Sequence, residues 1–245
     1  MAKTPPLFVV DGPVAEGSRI ALDAAGRRHA RARRLAEGSA VRLTDGAGCE
    51  ARGVIERLSR DACEVRVLAG VAREIGPPGV ELFVSAIRLP RLSWLAEKAT
   101  ELGAGKVTIV ASERAQRGRV EGAARDRERL ARIARAAAEQ SGQLTAPEFA
   151  GPVAAAEVLA RAAAVSSALL LDRSGGPFPG SLATPVALWV GPEGGWSAEE
   201  LAAADAAGWT RVRLPGATLR AETAAIAAIV LTLRAIDTAA RAGGQ

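Results

Sequence analysis

From residue 80 onward, short apolar runs alternate with segments of helical pattern. The runs are VELFVSAI, KVTIVA, ALLLD, VALWV and RVRL. Strands of this kind are buried on both faces of a parallel sheet that helices cover. PRLSWLAEKATELG predicts one such helix, with Pro90 in its first turn and Gly103 at its end, and residues 125–140 predict another, rich in arginine and alanine. The pattern therefore predicts an α/β domain.

The amino-terminal part shows short strands instead. LFVV, SRIAL, AVRLT, CEARGVIERL and CEVRVLA follow one another from Leu7, with Asp45-Gly46 as a turn signal between two of them. This pattern predicts a small β-barrel, which the arginine-rich segment Arg27–Leu35 interrupts. Glycines and prolines between residues 70 and 79 predict a linker. We therefore expect two domains, residues 1–71 and 72–245.

The net charge of +5 and the pI near 10.1 favour a polyanionic partner, although an arginine- and alanine-rich composition also arises from genome-wide bias. Cys49 and Cys63 are the only cysteines and there is a single histidine, so we expect no metal site. The first residues lack the features of a signal peptide, and we expect no apolar run of the ~20 residues that a membrane helix requires. These observations predict a soluble cytoplasmic protein that binds no membrane.

VALWVGPEGGWSAEE joins a buried strand to a glycine-rich loop and then to a helix with the capping-box pair Ser197 and Glu200. We call residues 191–195 the glycine loop. Loops at the carboxyl ends of parallel strands bind ligands, and glycines let the backbone approach a ligand closely. The alternative is an ordinary tight turn. The sequence contains neither the Gly-Lys-Ser/Thr of a phosphate loop nor a GxGxxG pattern here.

RVRLPGATLRAETAAIAAIVLTLRAID takes a strand through Pro215-Gly216 into a long apolar helix. Arg220, Glu222 and Thr223 are concentrated at the start of that helix, where polar groups are well placed to face a ligand. The alternative is that Glu222 and Thr223 only cap the helix while Arg220 is solvated.

Taken together, these motifs resemble the RsmE family of 16S rRNA uridine-N3 methyltransferases. The resemblance includes GPEGG, LxxxxLRAETA, EKATELG (Glu97–Gly103), SER (Ser112–Arg114) and AAEQSG (Ala137–Gly142), and also RHARARRLAEG and LTDGAG near the amino terminus. It spans nearly the whole chain in the expected order. It implies a PUA-like RNA-binding β-barrel followed by a SPOUT α/β domain with a trefoil knot, a feature that periodicity alone does not predict.

The sequence departs from the family pattern at several positions. The last family motif usually reads LG-x-RILR-x-ETA, whereas here Pro215 replaces glycine and Ala217 and Thr218 replace Arg-Ile. Gln143 stands where the family commonly has arginine, and Ala32-Arg33-Arg34 replaces its usual VLR. These departures affect the expected RNA contacts, whereas the residues expected at the cofactor are kept.

The resemblance implies that S-adenosylmethionine, the methyl donor, lies among three loops. The residues expected to bind it are Leu170, Leu171, Gly191, Glu193, Gly194, Gly195, Leu214, Gly216, Leu219 and Thr223. Methyl transfer to N3 requires a uracil anion, for which Arg220 is the expected stabilising group. Glu222 is expected to orient Arg220 or accept the proton, unless it only caps the helix. The family also implies a homodimer through the final helix, Ala224–Ile236, which is otherwise core.

The expected RNA partner is 16S rRNA or the small ribosomal subunit. The residues expected to bind it are Arg28, His29, Arg31, Arg33 and Arg34, with Arg88 and Lys98 as further candidates. The alternatives are a solvated charged face for the arginine cluster and a surface pair of Lys98 with Glu101. Two other functions stay open: a SPOUT methyltransferase of another RNA site, and a non-catalytic RNA-binding assembly factor.

Overall fold

The structure is a computed structural model that describes residues 4–68, 72–73 and 79–243. The chain forms two compact units. The first contains Met1–Gly76 and Arg135–Ala146, and the second contains Pro77–Ala134 and Pro147–Gln245. The predicted boundary at residue 71 and most of the predicted linker lie outside the described residues, so the position of the boundary stays a prediction.

The first unit is built on a six-stranded mixed sheet. Its strands are β1 (Leu7–Val9), β2 (Arg19–Ala21), β3 (Ala40–Thr44), β4 (Cys49–Leu58), β5 (Cys63–Val67) and β6 (Ala72–Arg73). They are ordered β1-β3-β4-β5-β2, and β6 pairs with β4. The β1–β3 pair is parallel and the other pairs are antiparallel. Alternating side chains of these strands, including Phe8, Leu43, Ile55 and Val65, form the buried core.

The arginine-rich segment begins inside a helix, which the sequence analysis did not predict. Helix α1 (Ala24–Ala32) starts at the N-cap Asp23, whose side chain accepts a hydrogen bond from the Gly26 amide at 2.7 Å. Gly26 and Ala30 face the core, while most of the arginines are exposed. The helix ends before Arg34, which has a left-handed φ of 56°.

The carboxyl end of helix α3 (Arg117–Ser141) and the residues after it belong to the first unit. The Glu139 carboxylate accepts a hydrogen bond from the Val9 amide at 3.1 Å and lies 3.0 Å from Nδ1 of His29. The Thr44 hydroxyl donates to the Leu144 carbonyl at 2.7 Å. A late segment of the chain therefore completes the unit that the amino-terminal strands begin.

The second unit contains a parallel six-stranded sheet, which confirms the predicted α/β class. Besides α3, its elements are β7 (Val80–Ser85), α2 (Leu89–Glu101), β8 (Lys106–Ala111), β9 (Glu148–Ala154), α4 (Ala155–Leu159), a short 3-10 helix (Ala160–Ala164), β10 (Ser167–Pro177), β11 (Val186–Val190), α5 (Ala198–Ala206), β12 (Thr210–Arg213) and α6 (Ala221–Gly243). The strand order is β12-β10-β11-β7-β8-β9. The trefoil knot implied by the resemblance stays a prediction.

Two expectations for this unit were incomplete. Helix α3 begins at Arg117 rather than at residue 125. Strand β9 was not predicted, because Gly151-Pro152 interrupts its apolar pattern. Proline is tolerated in an edge strand or at a bulge. Both conditions hold here, since β9 is at the edge of the sheet and its register with β8 shifts between Thr108 and Val110.

Helices cover the parallel sheet. Helices α4 and α5 pack against the face that carries Phe83, Leu170 and Trp189. Trp189 is almost fully buried and contacts the rings of Trp196 and Trp209, with centroids 5.0 and 5.3 Å apart. Helices α2 and α6 pack against each other, and α6 also contacts β7 and β11.

Helix α6 is long and apolar enough to cross a membrane by length and composition. Its span Ala221–Ala242 has a mean hydropathy of 1.5 in the most apolar window, of which 28% is buried. This differs from our expectation that no apolar run would approach the length of a membrane helix. Since α6 packs on α2 and on two strands, it is part of the helical cover of the sheet.

Candidate active site

A pocket of about 640 Å³ lies at the carboxyl ends of β11 and β12 and beside the middle of β10, where its pairing with β11 ends. Three chain segments form it: the residues around Leu171–Arg173, the glycine loop with Trp196, and the residues from Val212 to Ala224. The carboxyl edge of a parallel sheet is where such folds bind ligands, and the volume lies in the usual range of small-molecule sites. This pocket is therefore the candidate active site.

Trp196 fixes the glycine loop beside β10. Its indole Nε1 donates a hydrogen bond to the Leu171 carbonyl at 2.8 Å. A Cβ atom at Gly191 would lie 2.7 Å from the Trp196 ring, so only glycine permits this close approach. The predicted capping box is confirmed, because Ser197 Oγ and the Glu200 amide are 3.1 Å apart and the Glu200 carboxylate accepts from the Ser197 amide.

Three arginines hold the glycine loop from outside the pocket. Both Arg91 and Arg119 donate to the carboxylate of Glu193, the latter at 3.1 Å. Arg114 donates to the Gly194 carbonyl at 3.1 Å. None of these loop contacts was predictable from the neighbouring sequence. The SER motif that contains Arg114 was the only signal for any of the three arginines.

Two glycines leave open space in front of the pocket backbone. Gly195 and Gly216 have left-handed φ values of 69° and 92°. A Cβ atom added to either would meet no heavy atom within 4 Å, and both residues line the pocket. The backbone there is accessible to a bound molecule.

Glu222 faces Arg91 and not Arg220, whose orientation was one of the roles that the sequence left open for it. Arg220 is exposed and lines the pocket. Glu222 is only 7% exposed, and its Oε1 lies 3.5 Å from Nε of Arg91 on α2. Its Oε2 is buried and has no hydrogen-bond partner among the residues that the structure describes. The Glu222 side chain therefore reaches from α6 to Arg91 on α2 and does not line the pocket.

Most of the residues expected to bind the cofactor come together in the pocket. Those that line it are Leu171, Gly191, Glu193, Gly195, Leu214, Gly216 and Leu219. The other three do not. Leu170 is fully buried in the core beneath the pocket, a Cβ at Gly194 would face Arg114, and Thr223 is exposed on α6. Asp172, Arg173, Trp196 and Arg213 also line the pocket, although the sequence analysis did not single them out.

Asp172 is the partly buried end of a charged network at the pocket wall. Its carboxylate accepts from Nε of Arg211 at 2.9 Å and from the Ser174 hydroxyl at 2.6 Å. Burial raises the pKa of Asp172, but the hydrogen bonds from Ser174 and Arg211 outweigh it and leave the pKa below its ordinary value. Asp172 therefore stays ionised and holds Arg211 in place.

The predicted RNA-binding cluster lies on and after α1. Arg28 and Arg34 are exposed. Arg31 donates to the carbonyls of Ser59, at 2.7 Å, and Arg60. Nε of Arg33 and Nε2 of His29 are 3.3 Å apart, and the other ring nitrogen of His29 faces Glu139. Arg28 and Arg34 are thus the members whose guanidinium groups are best placed for an external anion.

The two further RNA-binding candidates have different surroundings. Arg88 is exposed at the N-cap of α2, where its side chain makes no capping hydrogen bond. The amine of Lys98 lies 2.8 Å from Glu101 and 2.7 Å from Glu97, and these hydrogen bonds raise the pKa of Lys98. Lys98 therefore forms the surface pair that was the alternative to RNA contact. Over the described part of the chain, no cluster of three or more metal-ligating side chains is found.

Comparisons with known proteins agree with this organisation. Residues 76–233 match the RNA methyltransferase domain family, and residues 22–68 match the RNA methyltransferase PUA domain. The chain is 32% identical, over 243 residues, to ribosomal RNA small subunit methyltransferase E of Mycobacterium bovis, covering 93% of this chain and 92% of that protein. It is 30% identical over 207 residues to the enzyme of the same name from Synechocystis, covering 80% and 66%.

Solved structures give the same result. The chain superposes on ribosomal RNA small subunit methyltransferase E from Neisseria gonorrhoeae bound to S-adenosyl methionine, with a TM-score of 0.81, 26% identity and coverage of 92% of this chain and 95% of that one. It also matches a Legionella pneumophila protein solved with bound SAM, with a TM-score of 0.79, 27% identity and coverage of 94% and 97%. The expected fold class, a PUA-like domain with a SPOUT-type α/β domain, is confirmed. The protein belongs to the ribosomal RNA small subunit methyltransferase E family.

Proposed function

We propose that this protein methylates N3 of a uridine in 16S rRNA of the small ribosomal subunit, with S-adenosylmethionine as methyl donor. The observation that carries the proposal is the pocket formed by the glycine loop and the Leu214–Arg220 turn, with Arg220 at its edge. The names of the Mycobacterium bovis and Neisseria gonorrhoeae relatives, and the cofactor bound to the latter, support it.

The pocket suits an adenosylmethionine-sized molecule. Its volume of about 640 Å³ is large enough, and the open space before Gly195 and Gly216 leaves backbone groups free to contact the ligand. Leu171, Leu214 and Leu219 add apolar surface for an adenine ring. These residues would hold the cofactor, with Leu170 and Gly194 behind them. When bound, the cofactor supplies an electrophilic methyl group on a sulfonium.

Arg220 is placed to stabilise the nucleophile. Uridine N3 attacks only after it loses its proton, and the resulting imide anion is stabilised by a nearby fixed positive charge. Arg220 lines the pocket, is exposed, and forms no ion pair within the described residues. Its guanidinium is therefore available to the uracil carbonyl oxygens that carry the developing charge.

Glu222 affects the pocket through Arg91. Because its carboxylate faces Arg91, and Arg91 also binds Glu193 of the glycine loop, the three side chains connect the start of α6 to the glycine loop. This arrangement supports a positioning role for Glu222 rather than proton transfer. Thr223 lies next to it on the exposed side of the helix.

The first unit supports RNA binding. It matches an RNA methyltransferase PUA domain and exposes Arg28 and Arg34. Guanidinium groups form bidentate contacts with phosphates, so a polyanion such as 16S rRNA fits this surface. The positive net charge favours the same partner. An enzyme that modifies ribosomal RNA in bacteria acts in the cytoplasm, which is where we place it.

We also propose that the protein is a homodimer. Ile226, Val230 and Leu233 are spaced four and three residues apart on α6, so they share one helix face, and all three are partly or fully exposed in the single chain. Val230 is 47% exposed, and Trp94 on the neighbouring α2 is 42% exposed. A second copy of the chain that covers this stripe would bury it.

The test combines mapping with a variant. Reverse transcription of rRNA from cells with and without the protein should show one protein-dependent stop, because N3 methylation removes the Watson–Crick donor. Arg220→Ala should lower the single-turnover methylation rate about 10²-fold or more, with little change in cofactor affinity, and raising the pH should partly restore the rate.

Other outcomes would contradict the proposal. A stop in a different RNA would identify another substrate. Tight RNA binding without methyl transfer by the wild-type protein would indicate an assembly factor. A near-wild-type rate for Arg220→Ala, with circular dichroism confirming its fold, would exclude Arg220 from the chemistry.

A further inference from the structure

The two carboxylates that line the candidate active site are neutralised from outside it. Asp172 is bound by Arg211, and Glu193 is bound by Arg91 and Arg119. None of these three arginines lines the pocket. The acidic side chains therefore leave little uncompensated negative charge facing the ligand space.

The arginines that line the pocket have no carboxylate partner among the described residues. Arg213 donates to the Gly175 carbonyl at 2.8 Å and supports the β10–β12 junction. Arg173 donates to the hydroxyl of Thr218, which is a neutral group. Neither Arg173 nor Arg220 forms an ion pair with any described residue. Arg213 forms none either, so three pocket-lining guanidinium groups have no anionic partner among the described residues. Because a strand carbonyl holds Arg213, Arg173 of β10 and Arg220, just before α6, are the two at the pocket edge.

Arg173 contacts the segment in which this chain departs from the family motif. The family motif usually carries Arg-Ile where this chain has Ala217-Thr218, so the arginine two residues before Leu219 is missing here. The isoleucine of that motif accepts no hydrogen bond, whereas Thr218 has a hydroxyl. Arg173 donates to this hydroxyl, which places its guanidinium at the residue that follows Ala217.

We propose that Arg173 binds a backbone phosphate of the rRNA strand next to the target nucleotide, in place of the arginine missing at position 217. The inference rests on the proposed function. The hydrogen bond to Thr218 uses one of the five guanidinium N–H groups and leaves the others for a bidentate phosphate contact. Arg173 is exposed, as a residue that contacts an incoming strand must be, and no carboxylate of the described residues forms an ion pair with it.

The experiment measures single-turnover methyl transfer to small subunits purified from cells that lack the protein, as a function of subunit and salt concentration. Arg173→Ala should raise the half-saturating subunit concentration about tenfold, and the slope of its logarithm against that of salt should fall by about one. The rate at saturating subunits and the affinity for S-adenosylmethionine should stay within about twofold of wild type.

The control is Arg241→Ala. It removes the same charge from the far end of α6, roughly 30 Å from Arg220 at 1.5 Å per residue, and should leave the half-saturating concentration and salt slope unchanged. A second variant, Arg173→Ala with Ala217→Arg, should restore both quantities at least in part. It returns the cation to the place where the family motif carries it.

Each result bears on the inference. Equal values for Arg173→Ala and Arg241→Ala would overturn it, as would a loss of cofactor affinity with unchanged subunit dependence, which would assign Arg173 to the cofactor carboxylate. A double variant that behaves like Arg173→Ala alone would refute the replacement of position 217. If the wild-type protein transfers no methyl group to these subunits, the proposed function fails instead.

Discussion

At the scale of single residues, Gly216 and Gly208 form a natural pair for testing the pocket. Their φ values are 92° and 89°, and a Cβ atom at either would meet nothing within 4 Å. Gly216 lines the candidate active site, whereas Gly208 follows α5 and is outside the pocket. An alanine therefore causes similar backbone strain at both positions, but only one of the two methyl groups enters the ligand space.

We predict that Gly216→Ala weakens S-adenosylmethionine binding about tenfold or more, because one extra methyl group in a filled site costs about 1–3 kcal/mol. Both variants should lose about 1–2 kcal/mol of folding stability, because alanine is strained in the left-handed backbone. Gly208→Ala should nevertheless bind S-adenosylmethionine as tightly as wild type. Calorimetric titration and urea unfolding of both variants measure the two effects. Equal affinities would mean that the ligand does not reach Gly216.

The residues that were predictable from sequence are those whose neighbours along the chain carry the signal. The glycine loop and the Leu214–Arg220 turn were identified in this way, and both line the pocket. Arg91 and Arg119 were not identified, because they reach Glu193 across 102 and 74 positions of sequence. An isolated arginine in a chain with many arginines gives no local indication of its partner.

At the scale of elements, the Asp172 network holds β10 against β12 where their pairing becomes irregular. Their register shifts between Leu171 and Gly176. A Cβ atom at Gly175 would lie 2.6 Å from the Arg211 backbone, so the two strands are in close contact there. The hydrogen bonds of Asp172 to Ser174 and Arg211 bridge this junction, beside the pocket.

This network predicts a pH-dependent contribution to stability. Because the folded-state pKa of Asp172 is lowered, its contribution is complete at neutral pH. It declines as the pH falls through the ordinary aspartate value of about 3.9 and is lost below the folded-state pKa. Asp172→Asn should cost about 1–2 kcal/mol at pH 7, and its difference from wild type should shrink toward pH 3.

Urea unfolding between pH 7 and pH 3 measures this difference. The control is Asp126→Asn on α3, since Asp126 forms no ion pair with a described residue. It should show little difference at any pH. A constant gap between wild type and Asp172→Asn over the whole range would show that the carboxylate charge is not what stabilises the junction.

The elements differ in how well their own residues define them. Strands such as β3, β4, β8 and β11 match the predicted runs because alternating or continuous apolar residues mark them. Helix α1 was missed because its arginines outweighed the signal of the N-cap Asp23. Strand β9 was missed because its position at the sheet edge, which makes Pro152 acceptable, is a property of the sheet and not of the segment.

At the scale of the whole molecule, the order of the chain does not follow the division into units. Residues 135–146 comprise the last turns of α3 and the segment after it. They nevertheless supply Glu139 and Leu144 to the first unit. Periodicity predicted a helix there but not which unit it would complete, since the contacts with His29 and Thr44 span about a hundred positions. The predicted knot is likewise a property of the path of the chain, which no local pattern records.

The exposed stripe of Ile226, Val230 and Leu233 on α6 predicts that two copies of the chain associate. Burying this stripe against a second copy is favourable at about 25 cal/mol per Å² of apolar surface, and a carboxylate at its centre opposes that burial. Sedimentation should show wild-type protein at about twice the chain mass of 25.2 kDa and Val230→Glu at the mass of one chain.

Ala240→Glu is the control, because it adds the same charge at an exposed position near the end of α6. It should leave the dimer intact, so that a dissociated Val230→Glu is explained by its position and not by its charge. Both variants should stay folded, as circular dichroism would show, since both positions are exposed in the single chain. A wild-type protein that sediments as a single chain, but floats with phospholipid vesicles, would contradict the dimer and assign the apolar stripe of α6 to a membrane.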